Sequence, residues 1–224
     1  RQVDYPALRG KRVLEIGCGS GAMTANMALH GLEVSAVDIS QSAVNLTQQR
    51  LSILGLTCDV QRADAEQLPY HDCEFALVWS WGVIHHSANM QSIIDEIWRV
   101  LKPEGQAKIM VYHRHSLRNW IMAGLYQGVF RGKFLSTSYD DILRQVTDGY
   151  IARHLTRDEM RRMFSRFRRV KIELTDLADL SFLPGNIIID RYLIGRLIPA
   201  GLKSRWDSFL MGHWGWFLFL EATK

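Results

Sequence analysis

The chain has 224 residues, of which 47% are hydrophobic and 22% are charged, proportions typical of a globular protein with one large buried core. It contains no apolar run of the roughly 18 residues that a membrane span needs, and it opens without a secretory signal pattern. We therefore expect neither a membrane span nor export. The three cysteines are an odd number without metal-ligand spacing, which favours free thiols in the reducing cytoplasm.

The net charge of +4 is unevenly divided, because residues 1–112 carry −3 and residues 113–224 carry +7. A basic second half is compatible with an anionic substrate, with peripheral contact to a membrane, or with RNA. Much of the excess lies in TRDEMRRMFSRFRRVK, which also fits a helix with a solvated arginine face.

The first half of the chain alternates strand-like and helix-like segments with short connections. Ser40 is positioned to cap the second helix, and Gly31 and Gly55 are positioned to end the first and second helices. This alternation predicts right-handed crossovers and a parallel sheet that is covered on both faces. In chain order the segments are the strand RVLEIG, the helix GAMTANMALHG, the strand EVSAVDI, the helix SQSAVNLTQQRLSILG, the strands TCDVQRADA and EFALVWSW, the helix MQSIIDEIWRVL, the turn KPEG and the strand QAKIMVYH.

The alternation breaks after the fifth strand. Residues 113–155 begin with the helix-like stretch LRNWIMAGLYQGVF and continue with polar, turn-rich sequence, and residues 176–213 contain a second apolar helix-like stretch. Between them, Thr156 and Glu159 form a capping-box pair at the start of a helix. RRVKIEL and WGWFLFLEATK are strand-like. Residues 1–224 are therefore predicted to form one α/β domain with two insertions.

The glycine-rich segment VLEIGCGSGA raises the question of the ligand. It fits the dinucleotide fingerprint G-x-G-x-x-A, and it equally fits the E-x-G-x-G-x-G loop that binds S-adenosylmethionine. Asp38 ends the second strand, where a carboxylate can accept hydrogen bonds from the ribose of either ligand. Glu15 would repel a pyrophosphate but suits an ammonium and a sulfonium group. Asp64, which closes the third strand, can accept the adenine amino group, so the two acids favour S-adenosylmethionine.

The stretch from Val13 to about Val111 resembles the class I S-adenosylmethionine-dependent methyltransferases, especially their small-molecule, type 11-like branch. The resemblance rests on five motifs in order, which are VLEIGCGSG, VSAVDIS, ADAEQLPY, FALVWSWGVIHH and RVLKPEG. It implies a Rossmann-like α/β fold with a seven-stranded, mostly parallel sheet, an antiparallel last strand, helices on both faces, and two insertions that form a substrate cap. It also implies S-adenosyl-L-methionine as methyl donor and S-adenosyl-L-homocysteine as product.

The resemblance further implies which residues bind this cofactor. The loop backbone would lie against its methionine and ribose portions, the acids would bind its amino and hydroxyl groups, and the end of the fourth strand would border its methionine end. The expected residues are Glu15, Gly17, Cys18, Gly19, Gly21, Asp38, Ile39, Asp64, Ala65, Trp79 and Ser80.

Histidines follow the fourth and fifth strands, at the edge where an open α/β sheet binds ligands. His85, His86 and His113 are the candidate bases, since imidazole can accept a proton from an acceptor hydroxyl near neutral pH. Each of them also fits a purely structural role. No carboxylate or cysteine lies nearby in sequence to complete a metal site around His113 and His115, so we predict no metal.

The insertions are expected to build the acceptor pocket. An apolar stripe at helical spacing in the first insertion fits either a helix packed on the core or a lid, with Trp120, Tyr126 and Tyr150 as candidate substrate contacts. We predict a small aromatic, natural-product-like or lipid-like acceptor and favour O-methylation, with nitrogen and carbon as open alternatives and the oligomeric state undetermined. The rival functions are an RNA methyltransferase that uses the basic half, although nucleic acid is not favoured, and a non-catalytic cofactor-binding scaffold.

Overall fold

Seven strands form one sheet in the computed structural model, which describes residues 3–147, 152–175 and 212–224. In chain order they are β1 (Arg12–Ile16), β2 (Glu33–Asp38), β3 (Asp59–Arg62), β4 (Phe75–Trp81), β5 (Leu101–Tyr112), β6 (Arg169–Thr175) and β7 (Phe217–Thr223). The order across the sheet is β3-β2-β1-β4-β5-β7-β6. Strands β1 to β5 pair in parallel, and the last strand is antiparallel, so the predicted Rossmann-like sheet is confirmed.

The helices between these strands begin and end where the local sequence directs. Ser40 caps the second long helix by accepting a hydrogen bond from the Ala43 amide, and Gly55 follows its last turn with a φ of +64°, so both predicted boundaries are confirmed. The helices are α1 (Tyr5–Leu8), α2 (Ala22–Leu29), α3 (Gln41–Ile53), α4 (Met90–Val100), α5 (Leu117–Asn119), α6 (Tyr139–Gln145) and α7 (Arg157–Met163). Helix α5 continues into a π-helix, Trp120–Phe130, and 3₁₀ turns occur at Ile84–His86 and Lys133–Leu135.

The core lies against the central strands. Val13 and Leu14 of β1 and Leu77 of β4 are fully buried, and α4 buries one apolar side that includes Ile94 and Ile97. Each fully buried side chain of this size contributes about 1.5–3 kcal/mol through removal of apolar surface from water. The parallel pairing holds the carboxyl ends of β1, β2 and β4 at the same edge of the sheet.

The predicted KPEG turn lies inside β5, which already begins at Leu101. Lys102–Gly105 turn locally there, since Glu104 has a φ of +62° and a Cβ on Gly105 would lie 2.8 Å from the carbonyl oxygen of Lys102. The register against β4 shifts between Phe75 and Leu77 at this point. The strand is therefore paired on both sides of a bulge that has turn-like geometry.

Two further boundaries differ from the sequence prediction. The stretch after the π-helix is not only turns, since Ser138 accepts a hydrogen bond from the Asp141 amide and starts α6 there. The last strand begins only at Phe217, after a helical turn at residues 212–214. In the first case a local capping residue starts a helix within a polar stretch. In the second case a short helical turn delays the start of the strand.

The described residues divide into two units. The first contains residues 3–111, 158–171 and 220–224, and the second contains residues 112–147, 152–157, 172–175 and 212–219. A single domain with two insertions stays a prediction. Tyr150 and residues 176–211, which make up nearly all of the second insertion, lie outside the described residues. No helix in the described part of the chain has both the length and the apolar character needed to cross a bilayer.

Candidate active site

The glycine-rich turn between β1 and α2 forms the floor of the site in the first unit. The amides of Gly17 and Cys18 both donate to the carbonyl oxygen of Val37, at 2.8 and 3.2 Å. Gly17 has a φ of +83°, and a Cβ there would lie 2.2 Å from Cγ2 of Val83. Gly19 has a φ of +52°, but a Cβ there would meet nothing within 4 Å. Gly17 thus allows close packing, whereas Gly19 leaves open space above the turn.

Glu15 is the buried acid of the site. Its carboxylate lies at the end of β1, is 4% exposed and accepts a hydrogen bond from the Thr24 hydroxyl of α2. Burial raises the pKa of Glu15 to about 7; the Thr24 hydrogen bond opposes this rise, and the negative charge of Asp38 adds to it. A cation placed beside this carboxylate would stabilise its ionised form and lower that pKa again.

Asp38 occupies the carboxyl end of β2 and organises the turn. Its Oδ2 accepts from the Gly19 amide at 3.0 Å, and its Oδ1 accepts from the Ser40 amide at 2.9 Å. A carboxylate offers about four acceptor positions, so both oxygens retain capacity for a ligand's hydroxyl groups. The same residue therefore fixes the glycine turn, starts α3 and faces the site.

Two cavities adjoin this turn, and both include Gly17. The larger has a volume of about 410 Å³ and extends over the ends of β2 and β3. It combines carboxylates at one side with apolar side chains at the other, and Ile39 is 65% exposed at its rim. Its lining residues are Ile16, Gly17, Val37, Asp38, Ile39, Ala63, Asp64, Ala65, Glu66, Val83, His86, Ser87, Ala88 and Ile93.

The second cavity, of about 380 Å³, lies between the ends of β1 and β4 and the start of α2. The indoles of Trp79 and Trp81 stack along one side of it, with centroids 5.6 Å apart and an interplanar angle of 9°. The buried carboxylate of Glu15 lies at its base. The lining residues are Glu15, Gly17, Cys18, Ser20, Ala22, Met23, Trp79 and Trp81.

Other predicted residues line neither of these two cavities. Ser80 is buried and donates its hydroxyl to the carbonyl oxygen of Ile16, which ties β4 to β1. Gly21 precedes α2 with a φ of +72°, and a Cβ there would lie 2.8 Å from the Thr47 backbone. His85 is fully buried, and its ring lies 4.3 Å from that of His86. Of these two histidines, His86 lines the larger cavity.

Sequence reasoning missed Trp81 and Val83. Trp81 could have been found, since side chains two apart on a strand share a face and Trp79 had already been selected. Val83 carries no such signal, because only the tertiary structure brings it against Gly17. Among the described residues, no group of three histidine, cysteine or acidic side chains is arranged to hold a metal.

The remaining predicted residues belong to the second unit. His113 is buried, and its Nδ1 donates to the carbonyl oxygen of Gly215 at 2.9 Å, which leaves the lone pair on Nε2. Burial lowers the pKa of His113, and the hydrogen bond to Gly215 opposes that change. Trp120 stacks between His115 and Tyr139, at centroid distances of 6.3 and 5.8 Å. Trp120 and Tyr126 are both exposed.

Comparison with known proteins identifies the family. Residues 14–109 match the sequence model of a methyltransferase domain. An uncharacterized methyltransferase of Synechocystis sp. is 31% identical over 159 residues, which cover 65% of this chain and 70% of that protein. The chain belongs to the S-adenosylmethionine-dependent methyltransferases.

Two further comparisons bear on this methyltransferase. A ubiquinone biosynthesis O-methyltransferase of Azoarcus sp. is 32% identical over 109 residues, which cover 48% of this chain and 47% of that protein. A solved S-adenosylmethionine-dependent methyltransferase from Mesorhizobium loti shares the fold, with a TM-score of 0.64 and 17% identity over 100% of this chain and 94% of that one. The chain spans less than half the length of several curated relatives that it matches.

S-adenosyl-L-methionine is the cofactor of this methyltransferase, and the chemistry of the two cavities fits it. The cofactor carries hydrogen-bond donors on its ribose and adenine, and the larger cavity supplies the carboxylates of Asp38 and Asp64. Its other end carries an ammonium and a sulfonium, and the second cavity supplies Glu15 and two indole faces. Gly19 belongs to the turn between β1 and α2, and the open space beside it leaves the backbone of that turn accessible to the cofactor.

Proposed function

We propose that this methyltransferase transfers a methyl group from S-adenosyl-L-methionine to a small aromatic, natural-product-like or lipid-like acceptor, with oxygen as the favoured acceptor atom. The observation that carries the proposal is the pair of cavities that adjoin at Gly17, one with carboxylates suited to an adenosine and one with a buried carboxylate suited to a cation. Because both cavities are lined by Gly17, they support the binding of one extended molecule across the turn.

In this proposal the lining of the two cavities supports the binding roles that the family resemblance implies. Asp38 accepts from the ribose hydroxyls, and Asp64 accepts from the adenine amino group, while Ile39 covers one adenine face. Glu15 acts as the counter-charge for the ammonium. Since the bound cofactor supplies an activated methyl group, the protein's main tasks are to align the acceptor and exclude water.

Proton removal is needed when the acceptor is a hydroxyl. Among the candidate bases, His86 lines the larger cavity and His85 is buried behind it. His113 is held as the tautomer whose Nε2 can accept a proton, by the bond from its Nδ1 to Gly215. A lowered pKa keeps His113 neutral at physiological pH, which a general base requires.

Aromatic surfaces support the acceptor class that we propose. The indole of Trp81 is partly exposed beside Trp79 in the second cavity and offers a flat face to an aromatic ring. Trp120 and Tyr126 are proposed as acceptor contacts from the first insertion, together with Tyr150, which lies outside the described residues. The name of the Azoarcus relative, an O-methyltransferase of ubiquinone biosynthesis, supports oxygen as the acceptor atom. The free cysteines among the described residues support a cytoplasmic location.

Calorimetric titration with S-adenosylhomocysteine tests the cofactor site, with NAD and NADP titrated in parallel. The Asp38→Asn variant should bind about 10–100-fold more weakly, because charge-assisted hydrogen bonds contribute about 1.5–3 kcal/mol each. Asp95→Asn, at an exposed position on α4, is the matched control and should bind as the wild type does. Unchanged affinity in Asp38→Asn, or binding of a nicotinamide cofactor instead, would overturn the site assignment.

Methyl transfer itself is tested with labelled S-adenosylmethionine and a panel of phenolic, quinol and lipid-like acceptors. The proposal expects label in at least one hydroxyl acceptor and none in an RNA panel. Label transferred to RNA alone would replace the small-molecule assignment with the RNA alternative. Cofactor binding without transfer to any acceptor in either panel would favour the non-catalytic scaffold.

A further inference from the structure

The second unit presents an unusually apolar surface on the segment that follows α5. Two of its side chains are almost fully exposed, since Phe130 is 75% and Leu135 is 94% accessible. Large apolar side chains commonly occur singly on protein surfaces, but here they are close together in the sequence. We call these residues the apolar patch: Leu125, Val129, Phe130, Phe134 and Leu135.

The patch is exposed because small residues occupy the inner side of the π-helix. Ala123, Gly124 and Gly128 are buried, and Ala123 forms a cluster with Ile142 and Leu143 of α6. This arrangement contradicts the interpretation that the helix buries its large apolar stripe on the core.

Gly128 also brings the end of the segment back against the helix. A Cβ there would lie 2.2 Å from Cε2 of Phe134, so the absence of a side chain gives that ring its place. Phe134 and Leu135 therefore lie near the helix that carries Phe130 rather than trailing away from it.

The charged residues of the segment that carries the patch all have one sign, and the next acids along the chain, Asp140 and Asp141, begin α6. Residues 114–139 contain four arginine or lysine residues and no acidic residue. Arg114 pairs with Asp140, and Arg118 lies over the Trp216 ring. Arg131 forms no ion pair with any described residue. The ammonium group of Lys133 donates a hydrogen bond to the side-chain oxygen of Gln145, which is neutral, and it too forms no ion pair with a described residue. Arg131 and Lys133 thus place positive charge, without an ion pair among the described residues, in the segment that carries the patch.

We propose that the apolar patch docks this protein on an anionic lipid bilayer, with the patch inserted among the headgroups and Arg131 and Lys133 on the lipid phosphates. Aromatic and aliphatic side chains flanked by cations are the composition that lies in a bilayer interface. A second copy fits less well, because a self-complementary contact would bring the cations of two patches together. The proposal does not depend on the proposed methyl transfer.

Flotation with vesicles tests the docking, using phosphatidylcholine alone and phosphatidylcholine mixed with phosphatidylglycerol. The Phe130→Ser/Leu135→Ser double variant should lose about 100-fold in partition coefficient, given about 1.5 kcal/mol for each apolar side chain withdrawn from the bilayer. The matched control is Leu29→Ser/Ile53→Ser, which removes two apolar side chains of the first unit that are 61% and 84% exposed and should bind as the wild type does.

Charge reversal provides the second arm. Arg131→Glu/Lys133→Glu should abolish the preference for phosphatidylglycerol, and added salt should weaken wild-type binding. Thermal unfolding and S-adenosylhomocysteine binding of every variant separate loss of docking from loss of folding or of the cofactor site. Equal binding by the Phe130→Ser/Leu135→Ser variant and its control would overturn the proposal. The proposal would also be overturned if the wild type were a dimer that did not bind vesicles and the Phe130→Ser/Leu135→Ser variant were a monomer, since the patch would then contact a second copy.

Discussion

The buried carboxyl of Glu15 should make the stability of the cofactor-free protein fall as pH rises, and one substitution should remove this dependence. Burial raises its pKa from the ordinary value of 4.5 to about 7. Between these values the native state holds more protons than the unfolded chain, so the free energy of unfolding falls as pH rises through this window. At about 1.4 kcal/mol per pH unit, the loss amounts to about 3 kcal/mol by pH 8.

The Glu15→Gln variant cannot ionise at this position and should escape that loss. Urea unfolding of the wild type and of the variant at several pH values from 4 to 8 measures the difference. We expect the variant to gain about 3 kcal/mol relative to the wild type across this range. Comparing the two proteins at each pH cancels the contributions of all other titrating groups.

The Thr24→Val variant is the matched test of the cause. Thr24 donates the hydrogen bond that lowers the pKa of Glu15, so its removal should extend the loss of stability to higher pH. At pH 8, saturating S-adenosylmethionine should raise the free energy of unfolding of the wild type more than that of the Glu15→Gln variant, because the ammonium group of the cofactor supplies a counter-charge for the Glu15 carboxylate. A difference between wild type and Glu15→Gln that stays constant from pH 4 to 8 would refute the reasoning.

Two further predictions concern the glycine turn and the second unit. Gly17→Ala should lower the free energy of unfolding by about 3 kcal/mol, because the residue has a left-handed backbone and the new Cβ would clash with Val83. Gly19→Ala should lower it by about 1 kcal/mol, because only the backbone is strained there. Equal losses in urea unfolding would contradict the packing argument. Burial lowers the pKa of His154 to about 4, so stability should fall as pH drops from 6.5 to 4. His154→Gln should reduce that acid sensitivity, and an unchanged acid unfolding midpoint would count against it.

Much of the fold was readable from local pattern. The alternation of apolar strands and capped helices predicted the parallel sheet, and Ser40 and Gly55 marked the ends of α3 correctly. The carboxylates at the ends of β1 and β2 could be placed at one edge because parallel strands bring their carboxyl ends together. These features depend on neighbours in sequence or on a rule of topology.

The differences arose where distant contacts decide the outcome. The sequence KPEG predicts a turn before the fifth strand, but β5 already begins at Leu101, and the turn becomes a bulge around Glu104 within the strand. The apolar stripe near Phe130 fits a helix packed on the core or a lid, and Phe130 is exposed because the small residues Ala123 and Gly128 take the inner side. Hydrophobic spacing identifies an apolar face of a helix, but it does not show which face packs against another element.

The sequence alone predicted the sheet and the cofactor class, and it placed Glu15 and Asp38 at strand ends on one edge of that sheet, because each of these depends on residue type at a strand end or turn. Only the tertiary structure showed that Glu15 is buried enough for its pKa to reach about 7. It also showed that His113 is held in one tautomer by Gly215, 102 residues away in the chain. Burial and long-range hydrogen bonds are properties of the packed chain, and the energies that tune the site come from them.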